Sequence, residues 1–113
     1  PFASESFHWV ICNAAMHFAE DRAQFDRWLA EMWRVLTPGG IFFARLASSI
    51  GIEKLLEPTS NGRYMMPDGS ERFIVDEQML RDSTASIGGR FLEPIKTTNV
   101  ENLRCMTTWV VVK

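Results

Sequence analysis

His17 is the residue best suited to acid–base work in this chain. It follows the apolar run Trp9-Val10-Ile11-Cys12-Asn13-Ala14-Ala15 by a few positions. An imidazole with an ordinary pKa near ~6.5 can accept a proton from a hydroxyl or an amine at neutral pH. Its plain alternative is a ring packed on Phe18. Asn13 is polar within the apolar run, and either presents its amide to a ligand or satisfies nearby backbone groups. Ala14 has no chemistry, but its small size lets a ligand approach. Arg45 lies inside a second apolar run, Ile41 to Ala47, and needs a partner or a solvent-facing position. Glu20, Asp21 and Asp26 have no metal-ligand spacing, so no metal site is expected. Cys12 and Cys105 are too far apart for a zinc pattern and read as small hydrophobes in buried strands. No Ser-His-Asp grouping, phosphate-binding loop or G-x-G loop occurs. His8 reads as a surface residue without a role.

The elements that position these residues follow from periodicity. The continuous apolar runs Trp9–Ala15 and Ile41–Ala47 predict strands buried on both faces, as in a parallel sheet. Between them, Phe25, Trp28, Leu29, Met32, Val35 and Leu36 recur at helical spacing. Asp21 is the expected N-cap, with Gln24 completing a capping box. Trp28, Met32 and Trp33 belong to the packing face of this helix. Thr37-Pro38 ends it, and Gly39-Gly40 supply a turn. Strand, helix, turn and strand make a βαβ crossover.

Beyond it, Ser48–Glu57 reads as a short helix with Ile50, Ile52, Leu55 and Leu56 on its apolar side. Residues 59–71 read as a long loop with turns at Asn61-Gly62 and Pro67-Asp68-Gly69. Residues 72–75 read as a brief extended piece. Asp76 caps a helix carrying Met79, Leu80 and Ile87, closed by Gly88-Gly89. Arg90–Thr97 and Cys105–Val112 read as antiparallel strands joined by a turn at Asn99–Asn102.

The chain has 113 residues, 46% of them hydrophobic, 23% charged, and a net charge of −2. That is ordinary for one soluble domain spanning 1–113, or a piece of one. With no basic stripe, nucleic acid is not an expected partner. No apolar run reaches the ~18 residues of a membrane helix. No signal peptide is visible, and free cysteines suit a cytoplasmic location. The first residue is Pro1 rather than Met, so the initiator was removed or the sequence is a fragment.

The wording around the crossover is specific. Pro1-Phe2, the Phe7-to-Asn13 run and Arg34-Val35-Leu36-Thr37-Pro38-Gly39-Gly40 together resemble the C-terminal half of a class I S-adenosylmethionine-dependent methyltransferase. The resemblance implies a partial Rossmann-like α/β fold, with about four strands in the order 4-5-7-6 of the family's numbering. It implies methyl transfer from S-adenosylmethionine to a small-molecule acceptor. Phe2, Asn13 and Ala14 fall where the family contacts its cofactor, His17 where it often places a histidine, and Arg45 where it opens toward the substrate, which admits a substrate-anion role. The family's glycine loop, acidic ribose ligand and adenine-binding residue are not in this sequence. Cofactor binding by the chain alone is therefore expected to be weak or absent, and the chain alone inactive. Two further readings stand beside a truncated enzyme: a non-catalytic assembly module, and a subunit completed by another chain. Trp9–Ala15, lacking its usual neighbour, is expected to be an edge strand that pairs in a homodimer or with a missing N-terminal half.

Overall fold

The computed structural model describes residues 2–113; Pro1, which opens the resembling stretch, lies outside them. Strand β1 (Phe7–Asn13) leads through a short 3-10 turn (Met16–Phe18) into helix α1 (Arg22–Val35) and strand β2 (Leu36–Ser48). β1 and β2 pair in parallel, as the crossover requires. Asp21 caps α1 by accepting from the Gln24 N–H at 2.8 Å. The return bond of the capping box is displaced by one residue: Gln24 Oε1 accepts from the N–H of Glu20, at 2.7 Å. Phe25 and Leu29 carry the buried face of α1, with Trp28, Met32 and Trp33 packed at its margin.

The expected turn at Pro38-Gly39-Gly40 is part of β2 itself. The Gly39 N–H donates to Lys113 O at 2.8 Å, and the Lys113 N–H donates to Gly40 O at 3.0 Å. Gly39 takes φ +82°, a conformation that side chains disfavour. At Gly40 the constraint is space, since a Cβ would fall 2.7 Å from Leu36 Cδ1.

Residues 48–57 contain a single 3-10 turn, Glu53–Leu55, instead of the expected helix. Ile52 and Leu56 are buried there, whereas Leu55 is exposed. The expected loop after it folds into a small antiparallel sheet of β3 (Glu57–Pro58), β4 (Arg63–Met65) and β5 (Glu71–Phe73). Arg63 ties this sheet to the crossover, donating to Ala19 O at 2.6 Å and to Glu71 Oε1 at 2.8 Å. Asp76 caps α2 (Glu77–Ile87), accepting from the Met79 N–H at 2.7 Å.

The expected strand Arg90–Thr97 is two pieces, β6 (Arg90–Phe91) and β7 (Lys96–Val100), both antiparallel to β8 (Arg104–Val112). Pro94 lies in the break, where its missing N–H prevents a continuous ladder. β8 pairs antiparallel with β2 from Ile41↔Val112 to Ser48↔Cys105. The main sheet thus runs β1-β2-β8-β6, with β7 also on β8. That is the expected 4-5-7-6 order of a mixed α/β sheet. Trp109 sits at its centre, its ring edge-on to Phe42 at 5.4 Å.

β1 differs most from expectation. It ends at Asn13, and it is not buried on both faces. Trp9 is 58% and Ile11 68% exposed, while Val10 and Cys12 are half-buried toward α1. β1 is an edge strand with β2 on one side only, and among the described residues no element packs closely over its Trp9–Ile11 face.

Candidate functional site

The C-terminal ends of β1 and β2 meet at the register pair Asn13↔Arg45. In open α/β sheets ligands bind outside the carboxyl ends of such strands. Ala14 follows in the left-handed region at φ +57°, its N–H donating to Arg45 O at 2.7 Å. This reversal swings the chain off β1 and seats His17 against the end of β2. His17 is 7% exposed. Its Nδ1 accepts from the Ala47 N–H at 3.1 Å, and its ring lies 4.7 Å from that of Phe18.

A cavity of about 170 Å³ opens here, lined by His17, Arg45, Arg72, Arg104, Asp68 and Ser70. β2 contributes Arg45, β5 Arg72, and the start of β8 Arg104. Arg72 is steadied by stacking on Phe18, its guanidinium carbon 4.8 Å from the ring centroid. Asp68 accepts from the Ser70 N–H at 2.9 Å and also from its hydroxyl. These bonds from Ser70 hold the Asp68 carboxyl below its usual range.

Burial, then the charges of Arg72, Arg104 and Arg45, push the His17 pKa down to about 4. At neutral pH the ring is uncharged. With Nδ1 accepting, its proton sits on Nε2. The linkage has a definite sign. An unfolded histidine titrates near ~6.5, so between that pH and about 4 the unfolded chain binds more protons. His17 therefore contributes stability above pH ~6.5 that is lost as pH falls through about 4. Allowing for solvent screening in the open cavity, the loss is roughly 1 to 3 kcal/mol. Urea titrations from pH 7 to 4 should show it, and His17→Gln, which keeps an acceptor for Ala47, should flatten the slope. An unchanged slope in that variant would assign the acid sensitivity elsewhere.

The structure brings together Asn13, Ala14, His17 and Arg45 of the residues singled out in the sequence. It does not bring Phe2. That ring is 68% exposed and packs edge-on against Phe7, centroids 5.1 Å apart, at the opposite end of β1. Arg34 holds it there, donating to Phe2 O at 2.8 Å and to Ser4 Oγ at 2.9 Å. Sequence reasoning missed Arg72 and Arg104, which lie far from β1 in the chain. The available signal was Arg45, a cation in an apolar strand without a neighbouring carboxylate. Among the described residues no group of His, Cys, Asp and Glu is arranged to hold a metal ion. Cys12 and Cys105 are free thiols, both pushed upward in pKa by burial.

The architecture is a partial Rossmann-like α/β fold whose strand ends open on a polar cavity. Residues 1–44 match a family described as methyltransferase domain. No curated protein matches the sequence. Among solved structures, an S-adenosylmethionine-dependent methyltransferase from Methanosarcina mazei superposes with a TM-score of 0.74 at 16% identity, over 99% of this chain and 61% of that one. The 1,6-didemethyltoxoflavin-N1-methyltransferase of Burkholderia thailandensis, solved with 1,6-didemethyltoxoflavin and S-adenosylhomocysteine, gives 0.69 at 13% identity over 100% of this chain and 46% of that one. The 4+2 cyclase SpnF gives 0.72 at 18% identity, over 100% and 53%. The chain thus spans roughly half to three fifths of these structures. A cyclase among the similar structures means that the fold does not by itself fix the reaction.

Proposed function

We propose that this chain forms the acceptor-side half of a domain that transfers a methyl group from S-adenosylmethionine to a small molecule. The observation that carries this reading is the cavity at the ends of the parallel β1–β2 pair, within a fold and a residue 1–44 match of methyltransferase type. S-adenosylmethionine, when bound, supplies an electrophilic methyl group. This chain's residues offer it one wall: the exposed Asn13 side chain and the Ala14 backbone, with only a methyl group projecting. Glycine-loop amides and a ribose-binding carboxylate are not among the described residues, so the fit is partial. Asn13 and Ala14 are the proposed cofactor contacts, and Phe2 is not retained.

His17 takes a different role from the base expected of it. Its accepting nitrogen is committed to Ala47, so the ring offers an Nε2–H donor. It would orient an acceptor oxygen or nitrogen in the cavity, and any proton released would pass to solvent. Positioning of this kind is the protein's main contribution when the transferred group is already activated.

We read the bare face of β1 as the seat of a second copy or of an N-terminal half, and the two free thiols as suited to a reducing cytoplasm. That bare face also favours a second reading, an assembly module without catalysis. Among the described residues no helix is long and apolar enough to cross a membrane.

Calorimetric titration of the chain with S-adenosylmethionine should give a dissociation constant weaker than roughly 0.1 mM, about −5.5 kcal/mol. A low-micromolar value would overturn the partial-wall reading. Ultraviolet cross-linking of radiolabelled S-adenosylmethionine at millimolar concentration should label residues 13–17, and S-adenosylhomocysteine should compete. No competed label there would overturn the methyl-transfer reading in favour of the assembly module.

A further inference from the structure

We propose that Arg45, Arg72 and Arg104 form an oxyanion-binding site that selects a methyl acceptor carrying a carboxylate or phosphate group. As an assignment of acceptor class this rests on the methyl-transfer reading; as an anion site it stands on the cavity alone.

Three strands from two sheets deliver these side chains to one cavity. Arg45 comes from the C-terminal part of β2, opposite Thr108 of β8; Arg104 comes from the start of β8, and Arg72 from the small sheet. Among the described residues none of the three makes an ion pair; Arg22, Arg34, Arg63 and Arg81 each have a carboxylate within 4 Å, and Arg27 and Arg90, also unpaired, are exposed and lie outside this cavity. Arg72 donates to a backbone carbonyl, Glu71 O, at 2.9 Å. The one carboxylate on the cavity wall, Asp68, is occupied by Ser70. Three guanidinium groups against one carboxylate leave the cavity positive on a chain whose net charge is −2. Like charges gathered without counter-charges repel, and a purely structural arrangement would pair each one. Guanidinium forks match the oxygens of carboxylate and phosphate, and the stacked Arg72 is already oriented.

The cavity, about 170 Å³, holds roughly six waters at ~30 Å³ each, so it fits an anionic group rather than a whole acceptor. The rest of the acceptor would extend past His17, whose Nε2–H adds a neutral donor, toward Asn13 and Ala14. The remote anion would anchor the acceptor while its nucleophilic atom faces the cofactor wall.

The test is anion binding by the chain, read by backbone and arginine side-chain NMR at constant ionic strength. Inorganic phosphate and acetate are the two probes. Saturable shifts at Ala14, Ala47, Ser70 and the three arginine Nε signals are expected. Tighter phosphate binding would indicate a phosphorylated acceptor, and tighter acetate binding a carboxylate one. Arg104→Gln, an exposed position that leaves the fold intact, and Arg45→Lys should each weaken binding by about tenfold or more. Arg81→Gln, outside the cavity, should leave it unchanged. Shifts that sodium chloride reproduces, or that all three variants retain, would overturn the site. Anion binding without cofactor cross-linking would keep the site and reject the acceptor role.

Discussion

Trp109→Ala is expected to remove a large share of the stability of the fold. The side chain is fully buried in the main core, edge-on to Phe42, and its indole N–H donates to Thr84 Oγ1 at 2.9 Å. The Thr84 hydroxyl in turn donates to Leu80 O at 2.7 Å, which fixes its lone pairs toward the indole. Truncating a buried tryptophan costs about 3 to 5 kcal/mol, against the ~5 to 15 kcal/mol that holds a typical domain together. Trp109→Phe keeps an aromatic ring against Phe42 and loses the polar bond, so it should cost about 1 to 2 kcal/mol more modestly. Urea denaturation followed by circular dichroism separates the two. A Trp109→Ala unfolding free energy within ~1 kcal/mol of the parent would mean that the sheet and α2 close over the hole.

The second large effect concerns association. Light scattering of the chain at micromolar concentration should report a dimer or larger species, and Ile11→Lys should return it to monomer. Trp9 and Ile11 are exposed on one face of β1, and Phe2 and Phe7 extend the same apolar surface over a groove of about 460 Å³. Its free edge carries no proline or lysine, the usual means of blocking strand addition. Large exposed apolar patches on soluble proteins are most often interaction surfaces. The substituted position is exposed, so the urea midpoint of the monomer should barely move. A monomeric parent with rapidly exchanging Val10 and Ile11 amides would show that the edge is tolerated in water.

Legibility in the sequence followed the length of each signal. Asp21 and Asp76 cap their helices as read, because a cap is local and chemically specific. The parallel pairing of β1 with β2 followed from long apolar runs and one crossover, whereas their order beside β8 came only from the family resemblance. The small sheet was not legible, since strands of two or three residues have no period to read. The exposure of Trp9 and Ile11 was not legible either: an apolar run states what a strand can bury, and only topology states what arrives to cover it. At the site, Asn13 and His17 were visible from β1 alone. The arginine cluster was not, because it exists only once β5 and β8 have been brought to the end of β2.

The seam between β2 and β8 also bears on how the molecule reaches this state. β1, α1 and β2 form a nearly continuous stretch of chain, whose pairing closes over a single helix. The β2–β8 ladder joins segments separated by the small sheet, α2 and the β6–β7 strands, so it carries a larger loop-closure cost. Non-local ladders of this kind set the pace of folding. Until β8 docks, β2 presents a second unpaired edge and Phe42 faces water without Trp109. The period of greatest risk for misassembly is therefore the interval before that ladder closes, when the molecule has two sticky edges instead of one.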